Sequence, residues 1–196
     1  MSAPLPHDAL DQIFLSGRSN HRFLPRPVED ATITELHRLT QLAPTGFNAQ
    51  PARFLFIRSN EAKQRLGPAL SGGNRYKTLA APLNVVVAWD NRFPDHLAER
   101  FPASKAKSFF DANPGWIEKS GVSNAWLQAG FLIVAARALG LDAGPMTGFN
   151  PTELDREFFP DGRHHALLVI NLGYGDRSEL SERGPRLAFE DAVTLL

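Results

Sequence analysis

The chain contains no cysteine. Disulfides, thiolate nucleophiles and cysteine-ligated metals are therefore excluded, and the chemistry must come from elsewhere. Excess charge is missing as well, since 21 lysines and arginines balance 21 aspartates and glutamates. With no net field to draw nucleic acid or an anionic membrane, neither partner is expected and any anion site must be local. The longest apolar run, residues 129–136, ends at Arg137, far short of the roughly 20 residues that cross a bilayer. Residues 1–7 show no basic patch followed by an apolar run, so no secretion signal is expected and the chain reads as soluble and cytoplasmic.

Several chemical signatures are absent too. Gly173-Tyr174-Gly175 follows an expected strand, but Ser178 stands where a dinucleotide fingerprint needs its third glycine, and no amphipathic helix follows. There is no Walker loop and no serine in a nucleophile elbow. His164 and His165 lead into a strand on opposite faces, and no carboxylate is spaced to complete a ligand set, so no metal is expected.

A length of 196 residues fits one domain, 1–196, able to bury roughly two-thirds of its unfolded surface. Helices are expected over residues 7–16, with Leu10, Ile13 and Phe14 on one face, and from an N-cap at Asp30 to a stop at Pro44. Residues 53–58 and 166–172 read as buried strands, and 83–89 as a central one. A helix over 61–70 is broken by Gly72-Gly73. Residues 91–115, with several prolines and the exposed Phe101, Phe109 and Phe110, read either as a lid or as surface packing. Asn150-Pro151 caps a short helix that runs to Phe159.

The strongest helix spans 120–140, with one stripe of Val122, Trp126, Ala129, Ile133 and Ala136 and another of Leu127, Phe131, Val134 and Ala138. Two apolar stripes need partners on both sides, which points to a subunit interface besides an internal core, the alternative being the central helix of a monomer. The element order is α+β, without the alternation of a doubly wound sheet.

Four separated segments carry the remaining chemistry: residues 18–23, 43–51, 145–149 and 183–186. Arg18, Ser19 and Arg186 suit a phosphate, which guanidinium grips through paired, charge-assisted hydrogen bonds. Asn48 and Gln50, between Pro44 and Pro51, put amides on a stiffened loop; they either match a ring's donors and acceptors or close a turn on themselves. Gly148 after Thr147 lets backbone approach a flat ring, so that an amide N–H can face a ring nitrogen. Asn74 and Lys77 add an amide and a cation where reduced-ring charge would build up.

Those residues resemble the FMN-dependent nitroreductase family from about Gly17 to Phe189. The segment from Ala43 to Pro51 is similar to the family's Ala-Pro-Ser-x-x-Asn-x-Gln-Pro, and Leu139-Gly140-Leu141-Asp142 leading into Pro145-Met146-Thr147-Gly148-Phe149 resembles its helix-to-flavin turn. More narrowly, residues 68–74, 88–90, 144–149 and 173–176 resemble the malonic semialdehyde reductase branch, RutE-like, of pyrimidine degradation. The resemblance implies a nitroreductase-like fold, a central mixed sheet flanked by helices, in an intertwined homodimer with two FMN sites built from both chains. NAD(P)H is the implied reductant. Hydride passes through flavin N5, so no catalytic side chain is required.

By the same resemblance, Arg18, Ser19 and Arg186 meet the phosphate and ribityl region, Thr45 and Asn48 reach the ring or ribityl chain from the partner, Asn74 meets the pyrimidine side, and Thr147 and Gly148 meet N5. His21, Arg22 or Lys77 stabilises the reduced ring. Alignment of the first loop on Phe23 places Gly17 at the family's first arginine and His21 at the ring-facing cation, whereas alignment on Arg18 moves Arg22 there. Thr147 replaces the glutamate common in nitroaromatic reductases. The implied reaction is reduction of malonic semialdehyde to 3-hydroxypropionate; the alternatives are a broad nitroaromatic or quinone reductase and a non-catalytic flavin-binding dimer.

Overall fold

The computed structural model describes residues 3–102, 105–178 and 180–196. Its β-branched and apolar segments pair as β1 (Ala52–Ile57), β2 (Leu83–Asp90), β3 (Asp142–Met146) and β4 (His164–Gly173), in the order β1-β2-β4-β3. Helices α1 (His7–Leu10), α2 (Asp30–Thr40), α3 (Asn60–Leu66), α4 (Gly72–Ala80), α5 (Leu97–Arg100), α6 (Ala106–Ala112), α7 (Gly115–Ala138), α8 (Pro151–Phe158) and α9 (Phe189–Ala192) surround the sheet or follow it. All eight residues of β2 are buried, as its run of apolar and β-branched side chains requires of a central strand.

Side chains alternate across the sheet. Val85, Val87, Ile170 and Leu172 pack with Leu36 of α2 and with Ala125, Ala129, Leu132 and Ala136 of α7. Val86 and Val169 point the other way, onto Leu66, Leu70 and Leu154 from α3, the turn after it and α8. Burying each large aliphatic side chain contributes about 1.5–3 kcal/mol, so the two layers fix strand register: a slip of one residue would exchange them.

Several expectations are corrected. Among the described residues every strand pairing is antiparallel and parallel pairing enters only as the isolated Ser19–Ala143 bridge, so the sheet expected as mixed is not mixed among these strands. β3 escaped the sequence reading because Gly144 and Pro145 are strand breakers; Pro145 is tolerated because β3 is an edge strand. Gly72 and Gly73 open α4 instead of ending a helix. Glu29, not Asp30, holds the cap position of α2, which stops at Thr40, four residues before Pro44. Phe110 is buried, against Phe93 and Phe47, while Phe101 and Phe109 are exposed. Residues 103 and 104 of the expected lid lie outside the described residues.

On α7 the face of Ala125, Ala129, Leu132 and Ala136 is buried, whereas Trp126, Leu127, Phe131 and Val134 are exposed in the single chain. Trp126 thus belongs with the outer stripe, not with the inner one assigned from spacing. Asn150 caps α8 by accepting a hydrogen bond from Glu153 N at 3.2 Å.

Candidate active site

The chain leaves the π-turn of residues 11–15 and enters Gly17-Arg18-Ser19 beside the C-terminal end of α7. Gly17, Arg18, Ser19, Arg137, Arg183 and Arg186 line a cavity of about 210 Å³. The arginines are held by backbone carbonyls: Arg183 Nη2 donates to Leu15 O at 2.7 Å and Gly17 O at 2.8 Å, Arg18 Nη2 to Ser181 O at 2.6 Å, and Arg186 Nη1 to Gly184 O at 2.9 Å. Among the described residues the nearby buried carboxylate is Asp142, which is paired with Arg177 at 3.1 Å. The cavity wall therefore concentrates positive charge with donors pre-positioned for an anion.

The loop continues along the same face. Asn20 N bonds Ala143 O at 3.1 Å, which pins the segment to the edge strand β3. Burial, then the charge of Lys77, holds the His21 pKa below its ordinary value. Arg22 O accepts from Asp176 N at 3.0 Å. Asn74 lies on α4 one turn before Lys77, on the same side.

Asn74 Nδ2 donates to Gly148 O at 2.9 Å, and Ser71 N to the same oxygen at 3.1 Å. A Cβ at Gly148 would run into Asn74 Nδ2 and stand 2.9 Å from Ser71 Oγ, so those two side chains would have to shift. Thr147 O accepts from Phe149 N at 2.9 Å. In a trans peptide the N–H lies opposite the C=O, so the Gly148 N–H is directed away from that turn. Thr147 itself is exposed.

Thr45 and Asn48 sit elsewhere. Gly46 N donates to Asn124 Oδ1 at 2.7 Å, Asn48 Nδ2 to Arg100 O at 3.1 Å, and Gln50 Nε2 to Asn48 Oδ1 at 2.8 Å, while Thr45 Oγ1 accepts from Gln50 N at 3.1 Å. The amides expected to face a ring thus close the turn on itself. Asn124 and Arg137 are both on α7, and thirteen residues at 1.5 Å each put the loop about 20 Å along the helix from the arginine cluster.

A model of the nitroreductase family matches residues 16–174, most of the chain. The chain belongs to the nitroreductase family. A protein of Stutzerimonas stutzeri (strain A1501), provisionally named an NADH dehydrogenase/NAD(P)H nitroreductase, is 48% identical over 195 residues, covering 100% of both chains. The crystal structure of a Bacillus subtilis protein, provisionally called a nitroreductase, superposes with a TM-score of 0.87 at 21% identity, over 97% of this chain and 100% of the other. Another from Exiguobacterium sibiricum, solved in complex with FMN, gives 0.84 at 18% identity over 100% of each. The sequence reading of the nitroreductase fold stands on these likenesses.

Of the sequence candidates, Arg18, Ser19 and Arg186 line one cavity, His21 and Arg22 line an adjoining one with Arg18 and Ser19, Lys77 acts on His21 through its charge, and Asn74 is bonded to Gly148, next to Thr147, while Thr45 and Asn48 belong to the separate 45–50 turn. Sequence reading missed Arg137, recorded there only as the end of an apolar run. Its signal was visible: a lone cation in the last turn of a helix whose C-terminal half is otherwise apolar after Gln128. Arg183 braces the Gly17 loop by donating to its carbonyls. Asp90, also passed over, is fully buried where β2 ends. Arg163 grips it through two bonds, at 2.8 and 2.7 Å, and Arg53 through one at 2.6 Å. Burial alone would raise its pKa, but the hydrogen bonds from Arg163 and Arg92 N and the charges of Arg53 and Arg163 lower it to about 2. Arg53 also donates to Gln50 O at 3.0 Å, so this knot anchors the 45–50 loop.

No group of three or more metal-ligating side chains occurs among the described residues. No helix of the described residues is long and apolar enough to cross a membrane.

Proposed function

We propose that the chain is an FMN-dependent NAD(P)H oxidoreductase, working as one domain in a homodimer whose two sites each take the arginine end from one copy and the 45–50 loop from the other. The observation that carries this reading is the arginine-lined cavity, supported by the charge interaction of His21 with Lys77 and by the Asn74–Gly148 hydrogen bond. The donor set fits FMN: a polar cavity ringed by guanidinium groups for the phosphate, then a glycine approach for a flat ring. The FMN named with the Exiguobacterium structure and the NAD(P)H named with the Stutzerimonas relative support the same choice. The exposed Trp126, Leu127, Phe131 and Val134 supply an apolar face for the second copy.

When bound, FMN supplies hydride acceptance from NAD(P)H and hydride return to a substrate at the same ring face. The chain positions and stabilises. Arg18, Ser19 and Arg186 hold the phosphate; Asn74 and the Gly148 N–H orient the ring, and Thr147 stands beside it. Lys77, with His21 or Arg22, offsets negative charge that builds up on reduction. Phe101 and Phe109 exclude water from the loop side. The cytoplasm, where NAD(P)H is supplied, suits this reaction.

For substrate, we propose malonic semialdehyde or a similarly short carboxylated aldehyde, on the narrower sequence resemblance and on Thr147 in place of an acidic residue. Nitroaromatic or quinone reduction is the second reading, favoured by the family itself. Anaerobic NADPH should bleach the bound flavin of a reductase and leave a mere flavin carrier yellow; an aldehyde and nitroaromatic panel then ranks substrates by kcat/KM. Thr147→Glu should penalise the carboxylated aldehyde by about 1–3 kcal/mol more than a neutral aldehyde of equal length, the repulsion of like charges about 5 Å apart. Equal losses would remove charge at this position from substrate choice.

A further inference from the structure

We propose that Arg137 is a phosphate-binding residue of this site, entering from the end of α7 into the space that Gly17 leaves by having no side chain. The inference rests on the FMN reading above and adds to it a residue from outside the four loop segments. Gly17 is buried directly against the guanidinium: a Cβ added there would stand 2.9 Å from both Arg137 Cζ and Nε. Any side chain at position 17 would force the guanidinium to shift.

Three observations point the guanidinium toward an anion. First, it lines the same cavity as Arg18, Ser19, Arg183 and Arg186. Second, its tether is light: Nη1 reaches Ile13 O at 3.2 Å, and the buried Nε has no hydrogen-bond partner in the structure. Leaving such a donor unsatisfied costs about 1–3 kcal/mol, more for a charged group. Third, its neighbouring carboxylate, Asp142, is engaged by Arg177 instead. A cation at a helix C-terminus also gains from the helix dipole, but that gain is available to an exposed side chain. It gives no reason for the guanidinium to turn back under Gly17 beside Arg183.

The test is flavin binding by the purified full-length protein, comparing FMN with riboflavin, which lacks the phosphate. Arg137→Gln should weaken FMN by about ten- to a hundred-fold, the loss of a hydrogen bond to a charged group, and leave riboflavin affinity unchanged. Arg137→Lys should recover part of the FMN affinity, as a point charge without the fork. Gly17→Ala should act like a milder Arg137→Gln by displacing the group without removing it. Equal losses for both flavins would make Arg137 a structural support and overturn the proposal, as would unchanged FMN affinity. Inorganic phosphate gives an arm independent of the cofactor reading. If wild-type protein bound neither flavin, that reading would fail, yet phosphate that raises the Tm of wild type and not of Arg137→Gln would still uphold the anion role. Equal shifts in Tm would overturn it.

Discussion

The two ends of α7 solve opposite problems. At the C-terminal end, Arg18, Arg183 and Arg186 are tethered by backbone carbonyls around a cavity, with guanidinium N–H groups to spare for a ligand. Toward the other end, the 45–50 loop bonds Gln50 to Asn48 and Asn48 in turn to Arg100 O, and it carries backbone strain, with Phe47, Asn48 and Gln50 all at positive φ (57°, 51° and 44°). That conformation costs a non-glycine residue about 1–2 kcal/mol. It is held by Asn124, Arg100 and the Asp90 knot, and by Phe47 among Phe101, Phe109 and Phe110. One end is built to receive charge. The other holds a strained turn about 20 Å away along the same helix.

The largest expected effect separates the two ends by stability. Asp90→Asn leaves Arg53 and Arg163 without their counter-charge and should cost about 3 kcal/mol, the low end for a broken buried pair, because both arginine side chains are about a third exposed. Since the folded pKa of Asp90 lies below its ordinary value of 3.8, its contribution is complete above that pH and is lost as pH falls toward about 2. Urea denaturation at pH 7 and pH 2.5 measures both: wild type should lose stability on acidification more than the variant does. Next comes Arg186→Ala, which should weaken FMN by about 1.5–3 kcal/mol and leave Tm of the flavin-free protein nearly unchanged; unchanged affinity by titration would take Arg186 off the phosphate. The smallest effect concerns Phe47. Both Phe47→Ala and Phe47→Gly lose the ring contacts, but glycine also relieves the positive φ, so it should be about 1 kcal/mol more stable than alanine by thermal unfolding. Alanine equal to glycine would deny the strain.

The legibility of this molecule in its sequence follows the same division. Strand β2 was readable because burial on both faces leaves an unbroken apolar run, and helix α7 because its apolar residues recur at helical spacing, with one face buried and Trp126, Leu127, Phe131 and Val134 exposed on the other. Asn150-Pro151 was readable because capping is local. What failed depended on partners distant in sequence: β3 is a strand only because β4 pairs with its Gly144 and Pro145, and Gly72-Gly73 starts a helix because Ser71 N and Asn74 are claimed by Gly148. The anion-site candidates Arg18, Ser19 and Arg186 were named from chemistry, and the fold brings them together. Arg137 and Asp90 were not, because an arginine ending an apolar helix and an aspartate ending a strand look ordinary until the neighbours converge on them.

The central claim, that each site combines the arginine end of one copy with the loop end of another, is tested by complementation. One chain carries Arg18→Ala with Arg186→Ala, and the other carries Thr45→Ala with Asn48→Ala. Each alone should retain little FMN. Co-expressed and purified through tags on both, the mixed dimer should hold one intact site and one doubly damaged site, so about half of its sites should fill and be bleached by NADPH. FMN content no higher than the average of the two single-variant dimers would place both ends of each site in one chain and contradict the account.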